Sequence, residues 1–369
     1  MKEVLVDSSL ITAVLQRFLA NEARPRVLMG FDGYIDKLVR PRKGQQSDSC
    51  YGSVAEFASR LMDMGGTSSD IAVTRLFEKI GGNGPLLAEA LAEKLVPCSC
   101  IGAMGYPNLS PLYRPLAQKA DLYSVAECAT SFALEFPDGK IMLGDTDSFL
   151  DIHWENIRKI LGEETLLSLF QEARLLCFTN WSGLPMAQNL LEGILNDICP
   201  RLTKNPDRSI FFDLADPTAK TPEQFAGLFS ALERLEPYYH RVIGLNPKEC
   251  MQLWRQFYGK EAENFSPDML ADLLQDFPAD EIVIHDAGCA YAGSRGEDPQ
   301  RIAGRYLSNP AITVGAGDNF NSGYCLGKLC GLAPAGCAAL GNEAAASFVE
   351  LAKPMGFEEL LKAFEERAK

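Results

Sequence analysis

The chain has 369 residues, 47% hydrophobic and 23% charged, which is typical of a globular protein large enough to bury its own core. Its formal net charge of −14, without basic clusters, argues against nucleic acid and anionic membranes as partners. Eleven cysteines with scattered spacing, and an N-terminus without a signal-peptide apolar core, predict free thiols and a cytoplasmic location.

Residues 1–24 predict an amphipathic helical extension that precedes the first strand. From there on, short apolar runs alternate with segments of helical period, which predicts βαβ units and a doubly wound, mostly parallel α/β sheet. The runs that predict strands are 26–30, 99–104, 175–178, 209–213, 242–245 and 281–285. The segments that predict helices lie near 84–95, 111–120, 185–198, 221–234 and 247–258.

Several predicted strands end in a polar side chain, and these are Asn180, Asp213, Asn246 and Asp286. Ligands of open α/β sheets bind at the carboxyl ends of the strands, so we expect the chemistry to gather there. One segment interrupts the alternation, because Pro137-Asp138-Gly139 between two extended runs predicts a β-hairpin. Such a hairpin is either a lid over the site or a structural edge hairpin.

The glycine-rich stretch Thr313-Val314-Gly315-Ala316-Gly317-Asp318 opens a predicted helix and contains no P-loop or Rossmann pattern. Small residues at 315–317 expose backbone N–H groups beside a helix N-terminus, a combination that suits phosphate oxygens. A carboxylate at Asp318 suits a base that takes the proton of an attacking hydroxyl. The structural alternative is that Asp318 only caps the helix.

Two further stretches suit the recognition of a polyol. Gly81-Gly82-Asn83 precedes a predicted helix, where glycines permit close approach and Asn83 can hydrogen-bond to hydroxyl groups. Asp32 and Asp36 follow the first strand, and a carboxylate can accept bonds from adjacent hydroxyls. The structural alternatives are an ordinary loop before a helix and, for Asp32-Gly33, a turn.

Taken together and in this order, the motifs resemble those of the PfkB family of ribokinase-like carbohydrate kinases. Thr313–Asp318 is similar to the family's C-terminal signature, and 81–88 is similar to its N-terminal glycine motif. Asn246-Pro247-Lys248-Glu249 matches the N-x-x-E motif, and 132–143 resembles the lid hairpin. The resemblance implies a ribokinase-like α/β fold over 25–369, with a small β lid formed by inserted segments near 34–52 and 128–146.

By position, the resemblance implies that Asp318 is the general base and that Gly315, Ala316 and Gly317 form the anion hole. It implies ATP and Mg²⁺ as cofactors and transfer of the γ-phosphate to a hydroxyl of a sugar or polyol. The implied acceptor-binding residues are Asp32, Asp36, Gly81, Gly82 and Asn83. The implied nucleotide-binding residues are Asn246, Gly288, Thr313 and Asn342, with Asn246 and Glu249 organising the metal through water.

Several positions depart from the family pattern: Leu86, Ile312 and Ala287 replace more usual residues, and the D-x-N-x-R motif lacks its Arg. The connection from Asp36 to Gly81 is also long and contains a predicted helix at 53–64, which indicates a remodelled lid or acceptor pocket. Two alternatives therefore stand beside an ATP-dependent sugar kinase: a catalytically weak sugar-sensing protein on the same scaffold, and an ADP-dependent kinase. Pairing of two lids in a homodimer stays open.

Overall fold

The computed structural model describes residues 2–312 and 314–369. Its strands are β1 (Lys2–Glu3), β2 (Arg26–Gly30), β3 (Tyr34–Pro41), β4 (Val73–Gly81), β5 (Cys98–Gly102), β6 (Asp121–Ser124), β7 (Ala129–Phe136), β8 (Gly139–Asp145), β9 (Ala173–Phe178), β10 (Ser209–Asp213), β11 (His240–Leu245), β12 (Glu281–Asp286), β13 (Cys289–Ser294) and β14 (Gln300–Ala303). Its α-helices are α1 (Ser8–Ala20), α2 (Val54–Asp63), α3 (Asn83–Glu93), α4 (Arg114–Ala117), α5 (Trp154–Leu161), α6 (Glu163–Glu172), α7 (Ala187–Gly193), α8 (Pro222–Leu235), α9 (Pro247–Tyr258), α10 (Pro267–Asp276), α11 (Ala316–Leu329), α12 (Pro334–Leu351) and α13 (Phe357–Arg367).

The main sheet has ten strands in the order β1-β14-β13-β12-β11-β10-β9-β2-β5-β6. From β12 through β6 all neighbours are parallel, while β13 pairs with β12 and β14 in antiparallel fashion. The predicted doubly wound, mostly parallel α/β sheet is thereby confirmed. All six predicted strands are present, with bounds shifted by a few residues at most.

Alternate residues of the central strands enter two separate cores, one on each face of the sheet. Leu28, Leu176 and Ile210 join the core beneath α5–α10, whereas Met29, Cys177 and Phe211 join the core beneath α1, α3 and α11–α13. Both faces of each strand are therefore buried, which explains why these strands appear in the sequence as continuous apolar runs. Cys98 and Cys100 are buried in β5 as part of this packing.

Two of the helix predictions differ from the structure. The segment predicted as one helix over 111–120 is a 3₁₀ turn, Pro111–Tyr113, followed by the single turn of α4. Pro115 lacks the N–H that a continuous helix would need within its second turn. Helix 185–198 also changes character, since α7 ends at Gly193 and a π-helical turn covers Ile194–Ile198.

A second, four-stranded sheet has the order β4-β3-β7-β8 and contains the predicted hairpin as β7 and β8. Its strand β4 was not predicted, because VTRLFEKIG carries charges at several positions and is mostly exposed or half-buried. The helix predicted at 53–64 is α2, and it packs against the hairpin through a small core of Tyr51, Phe57 and Phe136. The hairpin tip also contacts α2 directly, since Val54 N donates to Asp138 Oδ1 at 2.9 Å.

Helices α11 and α12 pack closely because two glycines of α11 lie at their contact. A methyl group on Gly323 would lie 2.4 Å from the carbonyl oxygen of Leu340, and one on Gly327 would lie 2.8 Å from Cys337 Cα. The i, i+4 spacing places both glycines on the same face of α11. Gly331 does not take part, since it follows the helix with φ +77° and has open space beside it.

Among the helices of residues 2–312 and 314–369, none combines the length and apolarity that crossing a membrane requires.

Removal of the Phe57 ring is expected to loosen α2 and the hairpin without loosening the main sheet, because this small core is separate from the two large ones. A buried Phe→Ala change typically costs about 3–5 kcal/mol, enough to open an appended unit locally. In Phe57→Ala, amide hydrogen exchange should accelerate in 54–63 and 129–145. Met62→Ala, which truncates a side chain on α2 that is 76% exposed, is the control. Equal acceleration in β9–β11 would contradict a separate unit.

Candidate active site

Helix α3 begins at a glycine, and the Asp32 carboxylate takes over the capping. Gly82 is the N-cap residue, with φ +96°. The free N–H groups of Asn83 and Gly84 donate to Asp32 Oδ2 and Oδ1 at 2.8 and 2.9 Å. Asn180 Nδ2 adds a third bond to Asp32, at 3.0 Å. Asp32 therefore fixes the start of α3 against the end of β2. Residues 81–84, which cover this helix start and the loop before it, are here called the acceptor loop after the role predicted for them.

The environment of Asp32 differs from that expected of a residue open to a sugar. It is 0% exposed, and both of its oxygens already accept bonds from protein donors. Burial raises the pKa of Asp32 to about 6, although the bonds from Gly84, Asn83 and Asn180 act in the opposite direction. This geometry favours positioning of the acceptor loop over direct contact with a substrate hydroxyl.

Glycine suits positions 81 and 82 because a carboxylate lies close to each, and because Gly82 has a φ of +96° that strains other residues. A methyl group on Gly81 would lie 2.5 Å from Asp36 Cγ, and one on Gly82 would lie 3.0 Å from Asp32 Oδ2. Asp36 lies on β3, half-buried, directly across the strand pair from Lys79 of β4. Burial raises the pKa of Asp36, and the Lys79 charge counteracts part of this rise.

Helix α11 also begins at a glycine, and Asp318 lies in its first turn. Gly315 is the N-cap residue, with φ +97°, so a side chain there would be strained and no side chain caps the helix from this position. None of the described residues accepts a hydrogen bond from the N–H groups of Ala316 and Gly317. Those N–H groups and the positive end of the helix dipole suit an anion.

Asp318 is 9% exposed and lies among other carboxylates. Burial, followed by the negative charges of Asp213 and Asp32, raises the pKa of Asp318 well above its usual range, while Lys79 opposes the rise. The structure thus brings Asp318 together with Asp32, Asp213 and Lys79, and packs α11 against α3 at the carboxyl edge of the sheet. A carboxylate with a raised pKa is a stronger base once it is ionised.

Asn246 and Glu249 form a capping box at the start of α9. Asn246 Oδ1 accepts from Glu249 N, and Glu249 Oε2 accepts from Asn246 N, each at 2.9 Å. Asn246 Nδ2 also donates to Glu249 Oε1, at 2.7 Å. Burial raises the pKa of Glu249 to about 7, and the charge of Asp213 adds to this effect. Helix capping would by itself account for the N-x-x-E spacing, without a role in binding, since Asn at the N-cap followed by Glu at N3 is a capping signal.

A cleft of about 530 Å³ lies beside the start of α11, with its lining drawn from five separate segments. Asn246, Gly288 and Asn342, which we predicted to bind nucleotide, all line this cleft together with Gly317. Its inner wall is largely apolar, with Ala345, Ala346 and Val349 of α12, which suits a flat aromatic base. Thr313 lies outside the described residues.

The site also brings together four residues to which the sequence analysis gave no specific role, and these are Lys79, Asn180, Asp213 and His285. Asn180 and Asp213 do have a sequence signal, because each follows or ends a buried strand. Lys79 had none, since its strand was not recognised. His285 is the last residue but one of β12, and its ring lies 3.3 Å from where a methyl group on Gly317 would be.

The family model for prokaryotic ketohexokinase matches residues 8–367, almost the whole chain. The chain belongs to this family. It is therefore a carbohydrate kinase, and the resemblance to ribokinase-like PfkB kinases is confirmed. A ketohexokinase of Haloferax volcanii is 26% identical over 348 residues, which cover 91% of this chain and 89% of that protein.

Solved structures of low sequence identity share the fold of this ketohexokinase-family chain. Arabidopsis thaliana ribokinase, complexed with ribose and ATP, superposes with a TM-score of 0.64 at 13% identity, covering 93% of this chain and 99% of its own. Adenosine kinase from Sinorhizobium meliloti superposes with a TM-score of 0.62 at 16% identity, covering 94% and 100%. At such identities the likeness confirms the ribokinase-like fold only.

In this ketohexokinase-family protein, the raised pKa of Asp32 has a consequence for stability. The folded state holds the proton more tightly than the unfolded state, whose carboxyl has a pKa of about 3.9. The contribution of Asp32 to stability is therefore greatest at low pH and is lost as pH rises through about 6.

Asp32→Asn should remove this dependence. Between pH 5 and pH 7.5, we expect the unfolding free energy of the wild type to lose about 1 kcal/mol that the variant keeps. Urea unfolding at both pH values measures the difference, with the exposed Glu164→Gln as control. An identical pH slope in wild type and Asp32→Asn would contradict the buried titration.

Proposed function

We propose that this protein transfers the γ-phosphate of ATP to a hydroxyl group of a ketohexose, with Asp318 as general base. The observation that carries the proposal is a buried carboxylate in the first turn of a glycine-capped helix, facing an acceptor loop held by a second carboxylate. Positioning and charge stabilisation are the main requirements of phosphoryl transfer, and these parts supply both.

The acceptor and donor classes rest on the relatives. Both the family model and the Haloferax protein are named ketohexokinase, which supports a ketohexose as acceptor. ATP as donor is supported by the ribokinase of the same fold that was solved with ribose and ATP. On this chain the nucleotide would occupy the cleft lined by Gly288 and Asn342 and direct its terminal phosphate to 315–317.

The acceptor site in this proposal consists of Asp36, Asn83 and the backbone at Gly81 and Gly82. Asn83 Nδ2 donates to Asp213, which leaves its Oδ1 to accept a bond from a sugar hydroxyl. Asp318 then accepts the proton of the attacking hydroxyl, while the N–H groups of Ala316 and Gly317 stabilise the charge on the transferring phosphoryl group. The small sheet serves as a lid in this scheme, and through Asp36 and Lys79 it contributes to the site.

Mg²⁺ fits the residues present as an ion held through water. Glu249 and Asn246 are bonded to each other, and in the described chain no three His, Cys, Asp or Glu side chains form a direct cage. Mg²⁺ usually keeps several waters and binds through one or two carboxylates plus substrate phosphates. We propose that Glu249 and Asn246 hold it in that way, where it would neutralise charge on the nucleotide.

A panel of acceptors tests the substrate class. We expect kcat/KM with ATP to be at least about 100-fold higher for a ketohexose such as fructose than for glucose, ribose or adenosine, because a hydrogen-bonding site rejects acceptors with misplaced hydroxyls. Higher turnover with ADP than with ATP would overturn the proposed donor. Sugar-dependent thermal stabilisation without turnover would instead favour a sugar-sensing protein.

Asp318→Asn tests the base. Turnover should fall by about 10²- to 10⁴-fold, while ATP binding measured by calorimetry stays within a few-fold of the wild type, since only proton acceptance is lost. Asp268→Asn is the matched control, because Asp268 also occupies the first turn of a helix, α10, but is exposed. Wild-type turnover in Asp318→Asn would remove this residue from the reaction.

A further inference from the structure

We propose that Asp213 is a positioning residue for phosphoryl transfer, which joins the acceptor loop to helix α11 through the side chains of Asn83 and Asn321. The inference rests on the proposed function, because it assigns these two elements to the acceptor and to the base. Asp213 lies in neither the acceptor loop nor α11, but it is bonded to a side chain of each.

Asp213 is the last residue of β10 and is 8% exposed. Its Oδ2 accepts from Asn83 Nδ2 at 3.0 Å and from Asn321 Nδ2 at 3.2 Å. Its Oδ1 accepts from Ala215 N at 3.0 Å, in a turn where Ala215 has φ +53°. One side chain at the edge of the central sheet therefore connects the beginning of α3 with the first turns of α11.

Only a carboxylate can make this set of bonds. One oxygen accepts from two amide donors while the other accepts from a backbone N–H, so no donor is tolerated at either position. An asparagine at 213 would place an NH₂ group either against the two side-chain amides or against Ala215 N–H. In a buried site, loss of an acceptor leaves donors unsatisfied, which shifts or releases the groups that they belong to.

The only hydrogen bond found for the Asn321 side chain in the described part of the chain is the one to Asp213. Asn321 is 2% exposed and lies three residues after Asp318 on α11, so the two side chains share one face of the helix. Its Oδ1 has no hydrogen-bond partner in the described part of the chain, and its Nδ2 donates to Asp213. The bond to Asp213 therefore orients the turn of α11 that carries the base.

Asp213 also acts on the base through its charge. After burial, the negative charge of Asp213 is the largest cause of the raised pKa of Asp318; Asp32 adds to it and Lys79 opposes it. Removal of the charge at 213 favours the ionised form of Asp318. The base then stays ionised to lower pH, a change that a merely structural role for Asp213 would not produce.

Asp213→Asn tests the inference. We expect kcat/KM for the ketohexose to fall by about 10- to 100-fold, with a higher KM for the sugar and a lower kcat, because small misplacements of reacting groups have effects of this size. The acidic limb of the pH profile of kcat/KM should move to lower pH. Asp207→Asn is the matched control, since Asp207 precedes the same strand at its opposite end and is exposed; it should keep wild-type constants.

A double-mutant cycle separates positioning from general damage. Asn321→Ala should reduce kcat/KM about 10-fold in the wild type and have little further effect in Asp213→Asn, because Asn321 acts through Asp213. Wild-type constants in Asp213→Asn, additive effects in the cycle, or an unmoved acidic limb would each overturn the inference. If Asp213→Asn does not fold, wild-type kcat/KM in Asn321→Ala overturns it instead. Asp318→Asn remains the separate test of the base, so failure of the role inferred for Asp213 can be told apart from failure of the role proposed for Asp318.

Discussion

A helix that begins at a glycine has free N–H groups and no side chain of its own to satisfy them, and this constraint governs both helices that frame the site. In α3, Asp32 reaches across from the end of β2 and accepts two of those N–H groups. In α11, the N–H groups of Ala316 and Gly317 have no acceptor among the described residues. The same local geometry thus serves structure in one helix and, in our proposal, phosphate binding in the other.

The second consequence is a concentration of negative charge. Asp32, Asp213, Asp318 and Glu249 all lie near the carboxyl edge of the sheet, and the charge of Asp213 contributes to raising the pKa of the other three. Carboxylates that repel one another in a buried site are stronger bases than isolated ones. A hydrated divalent cation, the ammonium group of Lys79 and the amide donors of Asn83 and Asn321 would each relieve part of that repulsion. The arrangement is therefore suited to bind cations and to accept a proton.

The long connection between β3 and β4 adds a small unit to the lid sheet. Helix α2 packs on the β7–β8 hairpin through Tyr51, Phe57 and Phe136, and Asp138 accepts from the first N–H of the helix. Asp36 and Lys79 lie at the other end of β3 and β4, where the register pairs them directly across the two strands. The long connection is thus a departure from the family pattern within the lid, whereas those at Leu86, Ile312 and Ala287 lie outside it, in α3, before α11 and after β12.

Sequence alone determined the features that depend on local chemistry. Continuous apolar runs predicted the central strands, because strands covered on both faces of the sheet bury every side chain. The glycine-rich stretch Gly315–Asp318 predicted a helix start, because small residues allow the tight turn that precedes the helix. Only the tertiary structure decided which side chains contact one another in the site. Nothing in the sequence separates Asp32, which is fully buried as a cap, from the half-buried Asp36 four residues later. Asp213 meets Asn83 and Asn321 across 130 and 108 residues of chain, and such contacts arise only when parallel strands bring their carboxyl ends to one edge.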